Sequence, residues 1–295
     1  MQDITALSIP TSLNQPAIDL WNGLLFDKFQ RFEWVLTRGL SAHGDAMLER
    51  TELGELHGAR LLDVGCGFGD LSEQLAQVVG PDGQVVALDA AQRFVDASAR
   101  RLAHLRQGHT RCADAECDDL GGPYDAIFSR FGTMFFARPL QALRNFHAAL
   151  RPGGQLNFVV WRKREANEWL YAPQCCVEAF IDPEALPKDA ATCGPGPFSM
   201  ASADLVGDLL MAAGFIDLRF ERVDADLCIG RDLDEALAFA LELGPAGERM
   251  RIAESSQGVP RSEIERALKK LLAPHQRESG IWMRSSTWVV RASKR

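Results

Sequence analysis

The chain has 295 residues, of which 46% are apolar and 24% are charged. These proportions are those of an ordinary folded protein, and they exclude an intrinsically disordered chain. The net charge of -8 and the pI near 5.3 argue against a general nucleic-acid binder, because such proteins neutralise phosphates with many lysines and arginines.

The cysteines and the apolar runs bear on compartment and partners. The seven cysteines include no C-x-x-C pair and no spacing typical of a zinc site, so we expect reduced thiols and no metal. The first residues carry an acid where a signal peptide needs a base, and no apolar run reaches the ~20 residues that span a bilayer. We therefore expect a cytoplasmic protein without a membrane span.

The chain divides into four predicted parts. Residues 1–58 read as a polar arm followed by helices, since apolar residues after Ala17 recur at three- and four-residue spacing. Residues 59–162 alternate strands with helices. That rhythm stops after Trp161, so we expect a cap insertion at 163–200, and residues 201–295 complete the sheet around a helical insertion at 231–274.

The alternation predicts a doubly wound α/β fold with a parallel sheet. In residues 59–162 the predicted strands are ARLLDVG, GQVVALD, Thr110 to Ala113, YDAIFS and QLNFVVW, and the predicted helices cover 70–80, 91–105 and 139–150. Further on, helices are expected at 202–213, 233–243 and 261–272, and strands at FIDLRFERV and STWVVRA. FIDLRFERV alternates apolar and polar residues, which is typical of an edge strand.

A glycine loop follows the first predicted strand and reads from Asp63 to Asp70 as D-V-G-C-G-F-G-D. The dinucleotide fingerprint G-x-G-x-x-G would place its third glycine at Asp70, but here the glycine comes one residue early. Asp70 with Glu73 predicts a capping box at the start of the next helix. The flanking acids Asp63 and Asp70 disfavour a pyrophosphate and suit a cationic ligand.

Two further acids follow the next two predicted strands, at the sheet edge where ligands of open parallel sheets bind. Asp89 ends the second strand, where a carboxylate can accept hydrogen bonds from both hydroxyls of a ribose or can cap a helix. Asp114 follows the third strand and can accept from an adenine amino group, while the Ala115 N–H donates to a ring nitrogen. Together these strand ends predict an adenosine with a positive tail.

These motifs resemble the class I S-adenosylmethionine (SAM)-dependent methyltransferases. LLDVGCGFGD resembles the first motif of that family, VVALD its acidic second strand, CADAE its adenine-binding turn, and LRPGGQLNFVVW its fifth strand. FSRFGTMFF, WNG and the late strand pair are similar to the ubiquinone/menaquinone-biosynthesis methyltransferases. The resemblance implies a Rossmann-like seven-stranded sheet, mostly parallel, with one antiparallel strand near the C-terminus.

The resemblance also implies a site for SAM and its product S-adenosylhomocysteine (SAH). Gly65 and Gly67 would line the methionine part, Asp89 the ribose, and Asp114 with Ala115 the adenine, while Ser129 and Arg130 would lie beside the methyl-transfer end. The expected cofactor shell is completed by Trp21, Asp63, Cys66 and Ala90. Phe68 departs from the pattern, because many relatives carry a small hydroxyl residue there.

Aromatic and polar residues near the ends of the later strands are expected to bind the molecule that accepts the methyl group. The expected substrate residues are Phe131, Met134, Phe135, Trp161 and Tyr171. Methyl transfer from a sulfonium needs alignment and exclusion of water rather than an obligatory acid or metal, and no catalytic residue is assigned. The amphipathic helix at 261–270 is expected in the core or at the surface of a homodimer.

The sequence therefore predicts a SAM-dependent methyltransferase acting on an O, N, C or S atom of a small, partly apolar molecule by in-line displacement. Two alternatives keep the SAM site: an enzyme that uses SAM without moving its methyl group, and a SAM-binding regulatory or structural subunit. A nicotinamide-dependent oxidoreductase is disfavoured by Asp70 at the third-glycine position.

Overall fold

The computed structural model of the chain describes residues 14–51, 53–185 and 195–295. The predicted polar arm before residue 14 and part of the predicted cap, residues 186–194, lie outside the described residues. The eleven α-helices described are α1 Gln15–Leu20, α2 Phe26–Arg31, α3 Ser41–Glu49, α4 Asp70–Val79, α5 Gln92–Leu102, α6 Pro139–Ala149, α7 Glu168–Glu178, α8 Ala203–Ala213, α9 Leu233–Glu242, α10 Pro245–Gln257 and α11 Arg261–Leu272.

The strands form one mixed sheet. They are β1 Arg60–Val64, β2 Gln84–Asp89, β3 Gly108–Cys112, β4 Tyr124–Arg130, β5 Leu150–Trp161, β6 Phe215–Gly230, the two-residue β7 Gln276–Arg277, and β8 Gly280–Lys294. Their order is β3-β2-β1-β4-β5-β8-β6, with β7 beside β8. Strands β1 to β5 pair in parallel, and β8 runs antiparallel between β5 and β6. This confirms the predicted α/β fold class.

The late strands are longer than predicted, and they pair antiparallel with each other as expected. Strand β6 continues to Gly230, well past the alternating segment that predicted it, and it forms the edge of the sheet. Helix α11 lies in the core, since Ile264, Leu268 and Leu272 are buried and the helix packs against α7 and α9. Its apolar face therefore serves the interior of the same chain.

Helix α10 was absent from the sequence prediction. Its buried side is made of Ala246, Met250 and Ala253, small or flexible residues among many polar ones, so its apolar pattern is weak. The helix packs closely against α7. Tertiary contact rather than local periodicity therefore accounts for this helix.

The predicted capping box at the start of α4 is wrong. The N-cap is Gly69, in a left-handed conformation, and no side chain caps the helix. Asp70 is the first residue of the helix and pairs with Arg130, while Glu73 turns towards Arg101. The sequence spacing fitted a capping box, but distant arginines supply the stronger partners for both acids.

The core contains few unsatisfied polar groups, and Asn157 on β5 is one of them. Its side chain is fully buried, and neither amide atom has a hydrogen-bond partner among the described residues. Its neighbours in register are Phe128 and Arg291.

Among the described residues, no helix is both long and apolar enough to cross a membrane.

We predict that Asn157→Leu raises the free energy of unfolding by about 1 kcal/mol, because it removes two buried polar atoms that lack partners. Denaturant unfolding followed by circular dichroism measures this. Asn145→Leu is the matched control: its amide donates to the carbonyls of Ala115 and Asp118, so this change should be destabilising. A loss of stability in Asn157→Leu equal to that of the control would contradict the prediction.

Candidate functional site

The glycine loop connects β1 to α4 and holds a fixed shape. Gly65, Gly67 and Gly69 all have positive φ, at 68°, 54° and 78°, a region that side-chain-bearing residues rarely enter. The Leu88 carbonyl at the end of β2 accepts hydrogen bonds from the N–H groups of Gly65 and Cys66, at 2.8 and 3.0 Å. The loop is therefore anchored to the neighbouring strand by its backbone.

Asp89 stands directly beside this loop. Its carboxylate accepts the Gly67 N–H at 3.1 Å through one oxygen and the Ala91 N–H at 3.0 Å through the other. Loss of water around this carboxyl raises its pKa to about 6, against the hydrogen bonds, which lower it. The helix N-cap is Ala91, so Asp89 orients the turn without being the cap residue. Each oxygen keeps acceptor capacity for a ligand hydroxyl.

The two acids that flank the loop are both engaged within the protein. Asp63 is 1% exposed and accepts the Ser72 hydroxyl at 2.5 Å, and burial raises its pKa to about 7. Asp70 forms a 2.6 Å ion pair with Arg130, and both side chains are largely buried. The negative charge that the sequence places on both sides of the loop is therefore partly balanced within the protein, because Arg130 from β4 pairs with Asp70.

Asp114 lies after β3 in a tight turn. One of its oxygens accepts the Glu116 N–H at 2.9 Å, and the other accepts the Asn14 amide at 3.3 Å. Ala115 is buried, and its carbonyl accepts from Asn145 at 3.1 Å. The N-terminal segment thus reaches the carboxylate that the sequence assigned to an adenine amino group.

Several predicted cofactor residues turn their side chains inward. Cys66 is buried and burial raises the pKa of its thiol, while the Ser129 hydroxyl is fully buried and donates to the Val64 carbonyl at 2.8 Å. Ala90 is partly exposed after β2, where its carbonyl accepts from the Cys112 thiol at 3.5 Å. At Cys66 and Ser129, only the backbone is left to face a ligand.

The ends of β4 and β5 bring three predicted substrate residues together. Phe131 has a left-handed backbone with φ of 61° and stacks on Trp161, with ring centroids 4.1 Å apart and planes 14° apart. The Met134 sulfur accepts the Trp161 N–H at 3.4 Å. Tyr171 lies apart from this group on α7, partly exposed and beside Cys175.

Trp21 contacts two elements beside the carboxyl ends of the strands. Its ring contacts Phe94 on α5 at 6.3 Å and Phe135 after β4 at 4.9 Å, between ring centroids. The next residue, Asn22, accepts the Arg93 N–H at 3.0 Å through its side-chain oxygen. The sequence did not predict that Asn14 contacts Asp114 or that Asn22 contacts the start of α5. The Asn in WNG was the available signal, because Asn side chains commonly bind exposed N–H groups of helix starts.

Phe68 is explained by packing. It is buried against Phe26 and Phe94, at centroid distances of 6.0 and 5.2 Å, within an aromatic cluster that joins α2 to α5. The ring stands where the resemblance led us to expect a small hydroxyl residue. In this chain that position therefore attaches the N-terminal helices to the glycine loop.

His43 borders the Phe131–Trp161 pair and is not available as a base. It is fully buried, its two ring nitrogens bond Ser285 at 2.7 Å and Thr287 at 2.9 Å, and burial lowers its pKa to about 4. Since the Ser285 hydroxyl donates to the Ala225 carbonyl, the neutral ring carries its proton on Nε2. No group of three or more potential metal ligands occurs in the described ranges.

Comparison with known proteins supports the resemblance to methyltransferases. Residues 62–156 match a family model described as a methyltransferase domain. Nocamycin O-methyltransferase of Saccharothrix syringae is 33% identical over 181 residues, covering 58% of this chain and 64% of that protein. The ubiquinone/menaquinone biosynthesis C-methyltransferase UbiE of Stutzerimonas stutzeri is 31% identical over 107 residues, covering 35% of this chain and 42% of that protein.

A solved structure supports the fold. Phosphoethanolamine N-methyltransferase 2 of Haemonchus contortus, in complex with SAM, aligns with a TM-score of 0.58, covering 94% of this chain and 59% of that one. At 15% sequence identity this likeness shows the fold alone.

The sheet has a Rossmann-like order, and residues 62–156 carry a methyltransferase domain. The chain is similar to the class I SAM-dependent methyltransferases of small-molecule type. The chain spans about two thirds or less of the length of the curated relatives described above.

We predict that Gly69→Ala costs more stability than Gly67→Ala. A Cβ at Gly69 would lie 2.4 Å from the Ser98 hydroxyl oxygen, whereas a Cβ at Gly67 meets no atom within 4 Å. Both changes carry the cost of a left-handed alanine, about 1 kcal/mol. Thermal unfolding of the two variants compares them. Equal losses would show that Ser98 does not constrain the loop.

Proposed function

We propose that this chain transfers a methyl group from SAM to an O, N, C or S atom of a small, partly apolar molecule by in-line displacement. The observation that carries the proposal is Asp89, held beside the glycine loop by the N–H groups of Gly67 and Ala91. This arrangement fixes a carboxylate at the end of β2 beside the glycine loop, where it can accept from both hydroxyls of a ribose.

The residues present fit this cofactor. A Cβ built on Gly67 meets no atom within 4 Å, so the loop leaves open space at the residue whose N–H donates to Asp89. Asp114 is positioned after β3, next to β2 in the sheet, at the distance of one strand from Asp89. The order of the strand ends supports a ligand extended from β3 across β2 to β1 and β4.

The protein's own residues would bind and orient both reactants. SAM supplies an electrophilic methyl group on a sulfonium, which needs no metal activation. Asp89 would hold the ribose, Asp114 and the backbone of Ala115 the adenine, and the loop from Gly65 to Gly67 the methionine part. Trp21 and Phe135 would exclude water from the reacting end, since their rings are in contact where the N-terminal segment meets the loop after β4.

If the acceptor must lose a proton, His43 does not serve as the base. Its two nitrogens are occupied by hydrogen bonds, and a pKa of about 4 makes the ring a weak base. We therefore propose that the acceptor binds as its nucleophilic form or loses its proton to water, and that rate enhancement comes from alignment.

The direct test uses SAM carrying a labelled methyl group. Purified protein is incubated with phenols, amines, thiols and quinols, and label is followed from SAM into an acceptor with formation of SAH. The proposal expects transfer to at least one class. Binding of SAM without transfer to any acceptor would favour a non-methylating enzyme or a regulatory subunit instead.

We predict that Asp89→Ala weakens SAH binding by about 2 kcal/mol, because it removes charge-assisted hydrogen bonds to the ribose. Titration calorimetry measures the change. Asp96→Ala, on the exposed side of α5, is the matched control and should leave the affinity unchanged. An unchanged affinity in Asp89→Ala, with the protein still folded, would remove Asp89 from the site.

We also predict that SAH affinity is constant above pH 7 and falls as the pH is lowered through about 6. The raised pKa of Asp89 means that its carboxylate takes up a proton in that range, and the protonated form accepts ribose hydroxyls less well. Calorimetry at pH 8, 6 and 5 measures this, with Asp89→Asn as the control that should lose the dependence. A wild-type affinity independent of pH from 8 to 5 would contradict the assignment.

A further inference from the structure

The carboxylate of Asp114, to which the proposed function assigns the adenine amino group, is already in contact with the N-terminal segment. The Asn14 amide donates to Oδ2 of Asp114 at 3.3 Å. Both residues are buried, Asp114 with 6% and Asn14 with 9% of its surface exposed. A ligand that approaches this carboxylate therefore meets Asn14 there.

Oδ2 of Asp114 already accepts from two donors. One is the Asn14 amide and the other is the Cys117 thiol, each at 3.3 Å, while Oδ1 accepts the Glu116 N–H at 2.9 Å. A carboxylate oxygen offers two lone pairs, so both of those on Oδ2 are in use. An amino group that donates to this oxygen must therefore replace one of the two donors.

Asn14 is the donor that can be replaced. Cys117 belongs to the same turn as Asp114, because its N–H donates to the Asp114 carbonyl at 3.1 Å. Asn14 is 100 residues away along the chain, so its contact with Asp114 can break without opening that turn. Its side chain also offers the same kind of donor as adenine, a planar NH₂ group on a trigonal carbon.

Helix α1, which follows Asn14, is weakly held. None of the six residues from Gln15 to Leu20 is buried, and Leu20 is 48% exposed. Beyond Trp21 and Asn22 the backbone leaves helical values at Gly23, with φ of -114° and ψ of -110°, so α1 is not continuous with α2. Loss of the Asn14 contact therefore frees α1, while Trp21 and Asn22 keep their contacts with α5 and the loop after β4.

We propose that Asn14 and the adenine amino group of SAM are alternative partners of Oδ2 of Asp114, so that cofactor binding displaces Asn14 and releases α1 from the end of β3. The inference rests on the proposed function, because it takes SAM as the ligand. Replacement of one donor by another cancels part of the free energy that the amino group contributes to binding. The contact of Asn14 with Asp114 therefore lowers the affinity of the protein for its cofactor.

The first test is titration calorimetry of the full chain with SAH and with an analogue that carries hydrogen in place of the adenine amino group. We expect Asn14→Ala to bind SAH about threefold or more tightly than the unchanged protein, because the amino group then gains its hydrogen bond without displacing another. Its affinity for the analogue should stay the same, since the analogue has no group that replaces Asn14. Unchanged or weaker SAH binding by folded Asn14→Ala overturns the proposal.

Gln15→Ala is the matched control. It removes a carboxamide from the neighbouring residue, whose amide donates to Asp19 within α1 at 2.7 Å and not to Asp114. We expect its affinities for SAH and for the analogue to equal those of the unchanged protein. A gain in SAH affinity as large as that of Asn14→Ala would show a general loosening of the segment, and it would overturn the replacement of Asn14.

Hydrogen exchange followed by mass spectrometry, at short labelling times, measures the release of α1 directly. The Asn14 carbonyl accepts the Ile18 N–H at 3.0 Å, so displacement of Asn14 removes a restraint from the first turn of this helix. We expect bound SAH to slow amide exchange in the glycine loop at 65–69 and to speed it at 15–20. Slower exchange at 15–20 would show that the segment closes over the cofactor, and it would overturn the proposal.

The outcomes separate this inference from the proposed function. Failure of SAH to bind to either the unchanged protein or Asn14→Ala contradicts the proposed function and the replacement of Asn14 together. Saturable binding of SAH with the same affinity in both proteins contradicts the replacement of Asn14 alone.

Discussion

The structure depends on the attachment of the glycine loop to the end of β2. The Leu88 carbonyl accepts two N–H groups of the loop, and the Asp89 carboxylate accepts a third, from Gly67. These bonds satisfy backbone donors that a tight turn at a helix start would otherwise leave exposed. They also require the loop to pass through left-handed conformations, which glycine adopts without steric cost. The same three bonds place an acid and an open glycine side by side.

Other parts of the chain are organised around that attachment. Phe68, within the loop, packs into the aromatic cluster that holds the N-terminal helices over α5. From there the N-terminal segment reaches the far strands: Asn14 bonds Asp114 after β3, and Trp21 contacts Phe135 after β4. A helical segment that precedes the first strand therefore lies along the whole row of strand ends that the proposed cofactor would occupy.

Much of this could be predicted from the sequence. The order of strands and helices through Trp161 and the place of Asp89 follow from local patterns of apolar residues and from the rule that parallel strands end at one edge. The helix α10 could not be predicted, because its buried face of Ala246, Met250 and Ala253 has little apolar contrast. Asp70 fitted a capping box by spacing, but its partner Arg130 is 60 residues away on β4 and only the fold brings them together.

The directions in which the side chains of the site point could not be predicted from the sequence either. Cys66 and Ser129 belong to the predicted cofactor residues, yet the thiol and the hydroxyl both point into the protein. The flat stacking of Phe131 on Trp161 depends on a left-handed backbone that no local rule predicts for phenylalanine. Such features result from packing among distant segments, and they bear most on the identity of the acceptor.

The central claim is that the glycine loop and Asp89 bind the adenosine of SAM rather than a nicotinamide dinucleotide. Titration calorimetry of the full chain with SAH and, separately, with NAD tests it most directly. The account predicts saturable binding of SAH with one site per chain and no heat of binding with NAD. Saturable binding of NAD with none of SAH would contradict it.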